Sequence, residues 1–146
     1  MERTWLSVPI MVLAMVIVWQ GSGRGEPLAS NKLTGVEWRV SELSGHVLAL
    51  SGDGQQPFII FDEAKKQVTG YAGCNRFFGL YVLEGEVLTF GPIGATKRAC
   101  PDLQEGGEIE VFKVLDATRR WRIVDGTLEL LNGDVVLARL RPHQGS

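Results

Sequence analysis

Gly70-Tyr71-Ala72-Gly73-Cys74-Asn75-Arg76-Phe77-Phe78-Gly79 lies inside the stretch from Val68 to Pro101 around which the chain is organised. That stretch holds the only two cysteines, Cys74 and Cys100, with Gly79, Gly85, Gly91-Pro92 and Gly94 between them. Glycines this dense around one Asn-Arg pair predict tight backbone turns that hold a fixed loop. On either side the pattern reads as strand. Phe58-Ile59-Ile60-Phe61-Asp62 and Gln67 to Tyr71 flank a charged turn, Glu63-Ala64-Lys65-Lys66. Leu80 to Leu83 and Val87 to Phe90 flank Glu84-Gly85-Glu86, a further hairpin signal, and Ile93 to Ala99 reads as a short strand.

Outward from this centre the strand signals continue. Val36, Trp38 and Val40 share one face of an alternating run that ends at Leu43, which predicts a half-buried strand with Trp38 in the core. Turns are expected at Ser44-Gly45 and at Ser51 to Gly54, with an exposed His46 between them. Arg120 to Val124 and Thr127 to Leu131 flank Asp125-Gly126, among the strongest short hairpin signals. Asn132-Gly133-Asp134 repeats the device before Val135 to Arg141. One stretch differs. Ile109, Phe112 and Leu115, widened by Val111 and Val114, make an apolar stripe at helical spacing from near Gly107 to Thr118. Several strands, one helix and then three strands are segregated rather than alternating. The expected fold is α+β: a curved, mainly antiparallel sheet packed on a single helix, resembling half a barrel.

Length and composition set the outer bounds. The 146 residues support one domain with a core of its own. Apolar residues make up 45% and charged residues 22%, as in an ordinary globular protein. Net charge is −2 and the cations are scattered, which argues against nucleic acid as a partner. Residues 1–29 read as a signal peptide and linker, and residues 30–146 as the folded domain. The run from Val8 to Trp19 is shorter than the roughly 20 residues a spanning helix needs, so cleavage after Gly23 or Ala29 is expected, against an uncleaved anchor. A soluble monomer in the periplasm or outside the cell follows, with no stable membrane insertion after processing.

Two cysteines in an exported domain most simply form one disulfide, Cys74–Cys100. The competing reading makes Cys74 a nucleophile with His46 as its base. Metal-ligand spacing is lacking, and no cofactor is expected. Asn75 and Arg76 carry two readings: they bind a carboxylate or a partner backbone, or Asn75 braces the loop while Arg76 clamps its carbonyls. The bridge would draw Lys97 and Arg98 toward Arg76, so Asn75, Arg76, Lys97 and Arg98 form the candidate binding rim. No triad or paired-carboxylate arrangement supports an enzyme.

Three runs carry a family resemblance: Gly73-Cys74-Asn75-Arg76-Phe77, Leu88 to Ile93, and Ala95 to Pro101. Taken in this order they resemble the META domain of the HslJ-like heat-shock family, over Leu33 to about Leu140. The resemblance implies a bacterial envelope protein with a small curved sheet, linked to heat stress, drug tolerance or motility, and maps that family's paired cysteines onto Cys74 and Cys100. It implies no catalytic residue. The lipoprotein cysteine of many such proteins has no counterpart after Trp19. The expected function is a non-enzymatic, stress-protective domain that binds an envelope partner. The second reading is a carrier of an apolar or acyl ligand in a slot lined by Trp38, Phe58 and Phe112.

Overall fold

A computed structural model describes residues 32–48, 55–99 and 107–143. The expected leader over 1–29, the turn at 51–54 and Cys100 lie outside these residues. Ten strands and one helix follow in chain order: β1 (Glu37–Leu43), β2 (His46–Val47), β3 (Phe58–Asp62), β4 (Gln67–Tyr71), β5 (Arg76–Glu84), β6 (Val87–Phe90), β7 (Gly94–Ala95), α1 (Gly107–Ala117), β8 (Arg120–Val124), β9 (Thr127–Asn132) and β10 (Val135–Pro142). All pairings are antiparallel.

The neighbours run β10-β9-β8-β6-β5-β4-β3-β1, and β1 then pairs with β10. Eight strands therefore close into a barrel, with β2 added to β1 and β7 added to β5. This overturns the expected α+β half-barrel. The sheet is curved and there is a single helix, as expected, but the fold is mainly β. The helix is short, and it closes one end of the barrel instead of forming a layer. Local alternation could not reveal this, because closure pairs Trp38 with Pro142 and Leu43 with Ala138 across almost the whole described chain.

Turn chemistry explains the hairpins. Asp125 (φ 50°) and Gly126 (φ 74°) both take positive φ, the twist-matched geometry of a two-residue hairpin turn. The interior follows from the period-2 pattern. Trp38, Phe61, Val68, Leu88, Leu128, Leu130 and Leu140 are fully buried inside the barrel. Phe61 meets Tyr81 edge-on, with ring centroids 5.2 Å apart.

Both ends of the barrel are covered. At one end α1 packs Val111, Val114 and Leu115 inward, and Phe112 meets Phe77 edge-on at 6.0 Å. Thr118 completes this stripe, its hydroxyl donating to the Val114 carbonyl at 2.7 Å. Ile109 is not part of it, being 64% exposed, so the buried face is turned from the one the sequence suggested. At the other end the segment before β1 crosses the opening. Leu33 is buried, its carbonyl accepts the Trp38 indole N–H at 2.8 Å, and the Gly35 N–H donates to Phe61 O at 3.0 Å.

Outside the barrel a chain of charges crosses four strands, β1, β10, β9 and β8. Arg139 bonds Glu42 (2.6 Å) and Glu129 (3.0 Å), and Glu129 also accepts from Arg122 (2.5 Å). Burial is the largest single influence on Glu129 and pushes its carboxyl up, but the Arg122 and Arg139 hydrogen bonds and charges together hold it below the usual range.

Two outcomes are expected. Gly70→Ala should destabilise by several kcal/mol, at least about 2, because the new Cβ would lie 2.2 Å from the Phe58 carbonyl oxygen and 2.5 Å from the Phe77 ring. Chemical denaturation measures this. Glu129→Gln should cost about 1–2 kcal/mol at pH 7, discounted because both arginines are partly exposed. A carboxyl held low in the folded state adds stability above its unfolded pKa of about 4.3, and loses it as pH falls through the folded value. The variant's acid-unfolding curve should therefore be flatter below pH 5 than the wild type's.

Candidate functional site

The run from Ala72 to Asn75 closes the β4–β5 hairpin beside the N-terminus of α1. Gly73 turns the chain at φ 115°, a conformation that other residues rarely adopt, and the Tyr71 hydroxyl donates to its carbonyl at 2.6 Å. The Ala72 N–H donates to Asn75 O at 2.9 Å and closes the turn.

Asn75 sits at the centre and is 6% exposed. Its Oδ1 accepts from the Arg98 backbone N–H (2.7 Å) and the Thr96 hydroxyl (2.9 Å). Its Nδ2 donates to Glu108 Oε1 (3.0 Å) and lies 3.4 Å from the Arg98 carbonyl. Its backbone N–H donates to Glu108 Oε2 at 3.0 Å. One amide thus joins the hairpin, the segment after β7 and the first turn of the helix. Glu108 also places negative charge at the helix N-terminus, where the dipole favours it.

The four expected rim residues separate into two kinds. Asn75 is the brace of the loop and is not available to a partner. Arg76 begins β5 rather than lying in a loop, and it clamps no carbonyls. Its backbone N–H donates to Thr96 Oγ1 at 3.1 Å, while its exposed guanidinium makes no hydrogen bond or ion pair among the described residues. Lys97 is likewise exposed, and Arg98 is held through its backbone to Asn75. Thr96 and Glu108, which complete the node, were not singled out from sequence; the acidic first turn of the helix was the signal for Glu108.

Cys74 is buried beside this node, its Sγ 3.6 Å from the Arg98 carbonyl oxygen. No described cysteine is free. Because Cys100 lies outside the described residues, the expected pair is not itself in view. His46, the base of the competing nucleophile reading, lies on the exposed β2 with its Nδ1 facing the Ser44 carbonyl at 3.1 Å, and no hydrogen bond joins it to Cys74 among the described residues.

The expected apolar slot is not assembled. Trp38 is buried inside the barrel, Phe58 stacks on Tyr71 outside it (6.3 Å), and Phe112 lies at the helix end against Phe77. A groove of about 370 Å³ runs along α1, lined by Phe90, Pro92, Ile93, Phe112 and Asp116. It is open to solvent and shares only Phe112 with the expected set. No helix among the described residues is long and apolar enough to cross a membrane.

The division of the rim is testable. Asn75→Ala should cost about 3 kcal/mol, because it leaves the Arg98 N–H, the Thr96 hydroxyl and Glu108 short of partners. Arg76→Ala should cost under about 1 kcal/mol, as exposed changes do. Thermal melts of the two variants beside the wild type measure the difference.

Comparison with known proteins agrees with this architecture. A solved structure described as the NMR structure of the protein from Burkholderia xenovorans superposes with a TM-score of 0.61. It is 23% identical and covers 82% of this chain and 90% of its own. A second NMR structure superposes at 0.57 with 19% identity, covering 75% of this chain and 90% of its own. At these identities the likeness is one of fold. No curated protein proves similar to the chain. The profile of the META domain matches residues 31–144, including every described strand and the helix. The chain belongs to the META domain family.

Proposed function

We propose that this META domain is an exported, non-enzymatic protein of the cell envelope, which protects under stress by holding an acidic partner at the rim beside Cys74. The observation that carries the reading is the division of labour at Asn75. The brace is buried and fully bonded, while Arg76 and Lys97 stand exposed beside it on backbone that it fixes. Rigid backbone under exposed cations is how proteins commonly present a binding rim. A filled barrel with both ends covered also favours a partner on the outer surface over one inside. Export is supported by the apolar run from Val8 to Trp19, and the stress role by the HslJ-like resemblance.

In the same reading Cys74 and Cys100 form a disulfide that locks the rim. The approach of the Cys74 sulfur to Arg98, two residues before Cys100, supports it. By the loop-entropy account such a bridge adds roughly 3–4 kcal/mol.

Survival under heat or antibiotic, in cells that carry Lys97→Glu in place of the wild type, tests the proposal. Survival should fall toward that of cells lacking the protein, while the melting temperature stays within about 3 °C of the wild type. Unchanged survival would sink the rim as the binding surface. For the bridge, alkylation of the unfolded protein should label neither cysteine until a reductant is added.

A further inference from the structure

On β5 the outward residues read Arg76, Phe78, Leu80, Val82 and Glu84, alternating with the inward Phe77, Tyr81 and Leu83. Phe78 is 53%, Leu80 62% and Val82 55% exposed. A strand with one face in water ordinarily alternates apolar with polar residues, so three consecutive outward apolar side chains form an unpartnered stripe. Its ladder partners are uncharged: Thr69 and Gly94 lie opposite Phe78, Gln67 opposite Leu80 and Thr89 opposite Val82. Only past Gln67 does a charged residue, Lys66, reach β5, its carbonyl accepting from the Tyr81 N–H at 3.0 Å. Neither charge at the two ends, Arg76 or Glu84, forms an ion pair among the described residues.

The order of these five residues selects the occupant. Arg76 and Glu84 stand four residues either side of Leu80, each about 13 Å away at ~3.3 Å per residue. Turned end for end about Leu80, the row meets itself with opposite charges aligned and apolar residues facing. We propose that this face is a two-fold interface between two copies of the chain. Leu80 lies on the axis, Phe78 packs against Val82 of the partner subunit, and Arg76 pairs with Glu84 of the partner subunit. A two-fold contact requires this self-complementarity, and a single strand supplies it here. The contact runs along one strand of a convex wall, so its area falls at the low end for specific interfaces and the dimer is weak, with Kd on the order of micromolar. This departs from the monomer expected from sequence. It does not rest on the rim reading, although the two share Arg76, for which this contact and an acidic partner would compete; Lys97 belongs to the rim alone.

Sedimentation equilibrium of the full chain tests it. The wild type should associate reversibly to a dimer, more weakly at high salt, since the end pairs are exposed to screening. Arg76→Glu and Glu84→Arg should each weaken association by roughly tenfold or more, because like charges then face each other. The double variant R76E/E84R should recover the wild-type affinity, and Lys97→Glu should leave it unchanged. All these positions are exposed, so each variant should fold, which circular dichroism melts check. A wild type that stays monomeric up to about 1 mM overturns the proposal. So does association indifferent to the single reversals, or a double variant no better than either single one. A monomer that instead sediments with anionic vesicles also overturns it, assigning the stripe to a lipid surface.

Discussion

Pairing between β1 and β10 is the constraint on which the rest of this molecule depends. It joins segments nearly a hundred positions apart, with Glu42 and Arg139 bonded across 97 residues and Ser41 and Arg139 across 98. Bringing such distant segments together costs loop entropy, but that cost grows only slowly with length. In return the first and last long strands, β1 and β10, are no longer open edges at which strands of other chains would add. Closure also creates an inside, and every inward side chain must then fill it. The charge chain from Glu42 to Arg122 lies across this seam and ties β1, β10, β9 and β8 together on the outer wall.

Opposite that seam the barrel is held differently. β6 and β8 share a single register pair, Val87 with Arg120. Side chains and loop backbone supplement it: the Trp121 indole N–H donates to Gly85 O at 2.8 Å, the Trp121 backbone N–H to Glu86 O at 3.0 Å, and Arg120 pairs with Glu86 at 2.7 Å. The helix spans the mouth between these two seams. The hydroxyl of Ser44 after β1 donates to Glu110 at 2.6 Å, and Asn132 at the end of β9 donates to the Ala117 carbonyl at 3.0 Å. Both helix ends are thus tied to strands that the closure has already placed.

The Asn75 node shows why the residue type matters. The position needs an acceptor facing Arg98 N–H and Thr96, and a donor facing the Glu108 carboxylate. Only a carboxamide offers both at this length, because aspartate would set a second negative charge against Glu108. With the loop braced from within, Arg76 and Lys97 are not needed to hold it and remain exposed. The same separation of inner and outer roles runs along β5, where Phe77 and Tyr81 belong to the core while Phe78, Leu80 and Val82 face water.

What the chain determines by itself is local. Asp125-Gly126 and Glu84-Gly85-Glu86 mark their hairpins because a turn is a property of a few adjacent residues, and alternation around Trp38 and Phe61 identifies the core because a strand has period two. Family membership was equally legible, since it rests on short runs in a fixed order. Tertiary structure decided the rest. The inward face of α1 keeps the expected Val111, Val114 and Leu115 but drops Ile109 and is completed by Thr118, because the barrel mouth, not the helix, selects what is buried. Arg76 passed from loop to strand because β4 offered it a partner in Tyr71, across a turn that glycines alone had made look longer. Closure decided the fold class, since whether a curved sheet stops at half a barrel or meets its own first strand depends on summed twist and on pairing between residues a whole domain apart.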